Sequence, residues 1–139
     1  MAGWSIPPSV FADQIDEEVS RRVRTIALAL LNEVIERSPV GNPDLWKSPP
    51  PPGYVVGRFR GSHIVSIGAP VYTVTTNVDP SGSDTRGKGM AALSGLEPYT
   101  QIFIQTNLPY AERLERGHSG QAPDGLYELA FISVSEVYR

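Results

Sequence analysis

The sequence predicts an α+β fold: a long N-terminal amphipathic helix packed on a small antiparallel β-sheet, with a proline-rich arm and a short C-terminal helix. Three observations carry this. Phe11, Ile15, Val19, Val23, Ile26, Leu30 and Val34 recur every three or four positions, the period of one helix face. Runs rich in β-branched residues follow in the second half of the chain. Between them stand Pro39, Pro43 and the run Pro49 to Pro52, which no helix or central strand accommodates.

The helix is expected over residues 10–37, introduced by Pro7-Pro8-Ser9 and stopped by Ser38-Pro39-Val40-Gly41. At 1.5 Å per residue it would be roughly 40 Å long. Asp13, Asp16, Glu17 and Glu18 precede Arg21, Arg22 and Arg24, an order that suits the helix dipole and permits Glu17–Arg21 and Glu18–Arg22 pairs. Leu28, Leu31 and Ile35 widen the apolar surface of the second half, so cover is expected there on more than one side, a neighbouring subunit being one source.

Residues 39–57 read as an extended arm, with Trp46 and Tyr54 as its anchors. Strands are expected at Ser62 to Ile67, Val71 to Thr76 and Gln101 to Thr106, with a turn at Gly68-Ala69-Pro70. In the last of these, Ile102 and Ile104 share one face and Phe103 takes the other. Asp79 to Gly89 reads as a flexible loop leading to a short helix at Met90 to Leu93. Asp124 to Tyr138 fits both periods, and a helix beginning after Pro123 is favoured.

Composition narrows the function classes. With 139 residues, 40% of them hydrophobic, the chain suits one domain spanning residues 1–139. A net charge of -3 gives no overall attraction to nucleic acid or anionic membrane. The start lacks the pattern of a secretory signal, and the longest apolar run, Ile26 to Leu31, is far short of a membrane span. Cysteine is absent, which removes disulfides and thiolate metal sites.

No motif supplies a catalytic centre. Glu112, Glu115 and His118 would share a helix side, but a Gly-rich loop follows and no further ligands complete a metal set. Gly87-Lys88-Gly89 lacks the spacing of a phosphate loop, and His63 reads as a satisfied strand residue. Neither histidine has the partners of a Ser-His-Asp arrangement. No catalytic, metal or cofactor residue is therefore assigned. Arg58-Phe59-Arg60 stands out more: in an extended chain both guanidinium groups point the same way, for an inter-subunit or nucleic-acid contact, and Phe59 points to the core.

Four blocks in order then carry a resemblance: Ser38-Pro39-Val40-Gly41 after the helix, Gly57-Arg58-Phe59-Arg60-Gly61-Ser62, Thr106-Asn107-Leu108-Pro109-Tyr110-Ala111 with Leu114-Glu115-Arg116-Gly117-His118-Ser119, and Gln121-Ala122-Pro123. The chain resembles the neck or tail-completion (head-tail connector) proteins of long-tailed bacteriophages. His63 stands where that pattern often has an aromatic. The resemblance implies a structural virion protein at the head-tail junction, made in the bacterial cytoplasm and acting in assembly without catalysis or cofactor. It further implies a homo-oligomeric ring, commonly sixfold, around the DNA path, with neck, head-closure and tail-tube proteins as partners and no membrane contact. Arg58, Phe59 and Arg60 would then serve docking. Asn107, Pro109 and Tyr110 would fix a turn, and Glu115, His118 and Gln121 would lie on a contact loop. The alternatives are a tail terminator capping the tube and, from another class, a peptide-binding adaptor using the arm or a sheet edge; a small hydrolase has least support.

Overall fold

The computed structural model describes residues 7–38, 55–109, 111, 115 and 125–138. The proline-rich arm up to its Tyr54 anchor, Trp46 within it, and Tyr110, Glu112, His118 and Gln121 lie outside the described residues. The fold is mixed α+β. Helix α1 (Pro8–Arg37) leads to a 3-10 turn at Arg60–Ser62 and strand β1 (Ile64–Ile67); helix α2 (Ser83–Leu93), strand β2 (Ile102–Gln105) and helix α3 (Leu126–Val137) follow. The two strands pair antiparallel, with Ile64 opposite Gln105 and Ile67 opposite Ile102.

Helix α1 begins with proline at its first turn, where the missing N–H would have had no helical partner. It ends at Ser38, whose extended ψ of 126° is the conformation a following proline imposes. Its packing is uneven. Leu31 and Ile35 are fully buried and Val34 nearly so, whereas Phe11 and Ile15 remain 46% and 43% exposed. Cover on more than one side comes from within the chain, from α2 and α3. No neighbouring subunit is needed at Leu31 and Ile35. The anticipated Glu17–Arg21 and Glu18–Arg22 pairs do not form. Among the described residues the ion pairs are Glu33–Arg37, Glu36–Arg86 and Asp84–Lys88.

Two expectations for the middle of the chain are corrected. The segment from Asp79 to Gly89 is a loop only as far as Gly82; from Ser83 it is helical, so Gly87-Lys88-Gly89 sits inside α2. The cause is Asp79. Its carboxylate accepts the N–H groups of Gly82 (3.1 Å) and Thr85 (2.8 Å) and the Thr85 hydroxyl (2.8 Å), satisfying donors that the first turn would leave without partners. Burial works against the charged carboxylate, but the Thr85, Gly82 and Ser81 donors outweigh it and hold its pKa below the ordinary value. Gly89 lets the helix lie against α1, since a Cβ there would collide with the Leu31 side chain.

Val71 to Thr76 is not a strand. Its backbone partners are amide side chains. Val71 N–H donates to Gln105 Oε1 at 3.0 Å, and Gln105 Nε2 donates to Val71 O. Asn107 Nδ2 donates to Val71 O (2.7 Å) and Thr73 O (3.0 Å). These bonds hold the segment beside β2 without a ladder, leaving Tyr72, Val74 and Val78 exposed.

Candidate functional site

The core that positions the site joins Val34 of α1 to Phe59, Leu108, Leu126 and Ala130, with Leu30, Ala111 and Tyr127 packed around it. Against its Phe59 and Tyr127 lies His63, 5% exposed. Nε2 lies 2.6 Å from Ser38 Oγ and Nδ1 lies 2.8 Å from Tyr127 Oη. The Phe59 ring meets the imidazole edge-on at 5.1 Å between centroids.

The proton positions follow from the neighbours. Ser38 has one hydroxyl proton and gives it to Val34 O at 2.6 Å, so it accepts from His63 Nε2–H. Nδ1 then carries the lone pair and accepts from Tyr127. Burial, with the Arg60 charge nearby, lowers the His63 pKa to about 3. Burial and the Glu115 carboxylate push the Tyr127 phenol upward, so it keeps its proton. A serine beside a histidine invites comparison with a nucleophile and its base. Here the serine proton is committed to a carbonyl, and Ser38 is 1% exposed. The arrangement joins the end of α1, the entry to β1 and the first turn of α3; it is a fastening.

The arginine motif is corrected in the same region. Residues 56–62 form consecutive turns rather than an extended run, so Arg58 and Arg60 are not displayed as a parallel pair. Both are half-buried. Arg60 donates from Nε (3.1 Å) and Nη2 (2.8 Å) to Ser38 O and from Nη1 to Pro80 O (3.0 Å). It binds the end of α1 to the loop before α2. Phe59 faces the core as expected, 2% exposed. Ser62 Oγ donates to Phe59 O and lies 2.7 Å from Thr106 Oγ1, which ties this turn to the end of β2.

The later motif divides likewise. Asn107 is half-buried and pins the 71–73 backbone, while Pro109 is exposed in a turn. Glu115 accepts from the N–H groups of Tyr127 (2.8 Å) and Glu128 (3.3 Å), and its own carbonyl accepts from Gly125 at 2.5 Å. A carboxylate so placed caps α3 from a distant part of the chain and complements its dipole.

One accessible concavity is mainly apolar. A groove of about 590 Å³ opens between α1, β2 and α3, with Val23, Ile26, Leu30, Ile102, Ile104 and Phe131 among its walls. It continues along α1 toward the part-exposed side chains of Phe11, Ile15 and Val23. The helical repeat identifies the α1 side of this groove, but the wall supplied by Phe131 depends on where α3 crosses. Among the described residues no group of three or more His, Cys, Asp or Glu side chains is placed to hold a metal, and no helix is long and apolar enough to cross a membrane. Comparison with known proteins finds no matching family, no matching curated protein and no matching solved structure.

Proposed function

We propose that the chain is a non-enzymatic structural subunit of a tailed-phage virion, acting at the head-tail junction as a neck or tail-completion protein and closing there into a ring around the DNA path. The observation that carries this reading is the part-exposed apolar stripe of α1 running into the groove beside β2 and α3. Surfaces of that kind mark association sites. The ordered sequence blocks supply the resemblance that directs the reading to the phage joint. Tail termination is the variant of the same reading, since a terminator also works as a ring on the tube axis.

The buried polar groups support assembly over chemistry. Arg60, His63 and Ser38 spend their hydrogen bonds inside the fold, so they act by holding the docking face in shape. The test combines the purified chain with tail tubes and DNA-filled heads of the phage that encodes it, followed by electron microscopy. Ring density at the joint or at the tube end is expected. Phe131→Asp, which changes a side chain 61% exposed, should keep the thermal melt of the wild type and abolish joined particles. A chain that binds neither heads nor tubes overturns the proposal.

A further inference from the structure

Self-complementarity of α1 identifies an occupant for the apolar groove. We infer that the free chain forms a twofold dimer in which α1 lies antiparallel to α1 of a second copy, setting the exposed half of each helix into the groove of the other. The pair hides stripe and groove together. It is a state of the chain before any assembly and stands independently of the virion reading.

The pattern of apolar residues requires the antiparallel sense. Phe11, Ile15, Val19, Val23, Ile26 and Leu30 occupy one stripe; in its outer half Ile15 and Val23 stay 43% and 36% exposed, and its inner half forms the groove floor. A parallel pair would set outer half on outer half and leave both grooves empty. In an antiparallel pair with its axis beside Val19, Phe11 meets Leu30 of the second copy at the Phe131 wall, and Ile15 meets Val23 and Ile26.

Charge fixes the same register. At about 100° per residue, Glu18 and Arg22 fall on one flank of the stripe. A twofold axis perpendicular to both helices brings like flanks together. With the axis beside Val19, Glu18 then faces Arg22 of the second copy, and the pair occurs twice. Both side chains are exposed, and among the described residues they are not paired with each other or with another charged group. Opposite charges placed this way set partner and orientation in paired helices.

Because the chain has no cysteine, one introduced thiol gives a clean reading of symmetry. Val19→Cys should yield a covalent dimer under mild oxidation, since only a twofold contact brings the same residue of two copies together. Analytical ultracentrifugation should find the wild type dimeric. Glu18→Arg or Arg22→Glu alone sets like charges together and should weaken the dimer about tenfold or more. Mixing these two variants, or combining both changes in one chain, restores opposite pairs and should restore dimer. Circular dichroism and the thermal melt verify that each variant is folded. A wild type that stays monomeric at high concentration overturns the inference. So does an oligomer indifferent to Glu18 and Arg22, or a Val19→Cys dimer that fails to cross-link on oxidation.

Discussion

The two halves of α1 carry the same kind of apolar repeat and end in different environments. In the second half, Leu31 and Ile35 are sealed by α2 and Val34 by the core under α3. In the first half, Phe11 and Ile15 remain nearly half exposed. Burying a large aliphatic side chain contributes roughly 1.5–3 kcal/mol. The second half therefore contributes more to the chain's own fold than the first. Periodicity marks both halves as helix; only the third dimension separates the sealed half from the exposed one.

The sharpest way to break this comparison is truncation at one site in each half. Leu31→Ala should cost about 2–5 kcal/mol in urea denaturation, because it opens a cavity under Gly89. Ile15→Ala, measured at a dilution that keeps the chain monomeric, should change stability by less than about 0.5 kcal/mol. Equal losses would mean the halves are equally structural.

Acid addresses the fastening of the second half. Unfolded, His63 titrates near 6.5; folded, at about 3. Between those values only the unfolded chain takes up the proton. The stability conferred by neutral His63 is thus fully present above pH 6.5 and is lost as pH falls toward 3, at up to about 1.4 kcal/mol per unit. Asp79, whose folded pKa is lowered from 3.8, adds a loss only at the acid end of that window. Equilibrium unfolding against pH reads both, and His63→Asn should flatten the upper part of the slope. A wild-type curve level from pH 7 to 4.5 would contradict the buried neutral imidazole.

Two glycines of α2 sharpen the contact with α1. Gly89→Ala drives a methyl into Leu31 and should cost about 1–3 kcal/mol despite the better helix propensity of alanine. Gly87→Ala meets nothing within 4 Å and should gain up to about 1 kcal/mol. Asp79→Ala should lower stability by about 1 kcal/mol in thermal denaturation through loss of the α2 cap.

Elements with a strong local period were legible from the chain alone: α1, both paired strands and α3 fall within a few residues of their expected places. The rest depended on distant partners. The glycines of α2 argue for a loop until Asp79 supplies the cap and Leu31 requires a missing Cβ. Val71 to Thr76 has strand residues, but Gln105 and Asn107 side chains take the place of a neighbouring strand. Alternation in Arg58-Phe59-Arg60 suggested extended chain, whereas the segment winds into turns and Arg60 finds Ser38 O. The His63 site joins residues 25 and 64 positions away, a separation that no local pattern encodes.

The bridge from Ser38 through His63 to Tyr127 also bears on synthesis. A ribosome delivers α1 long before Tyr127 emerges, so the imidazole waits with one nitrogen lacking its final protein partner while the 64 residues up to Tyr127 are made. Leu126 and Ala130, which close over Val34, arrive with that same late segment. Helix α1 is thus made well before the segment that closes over its second half.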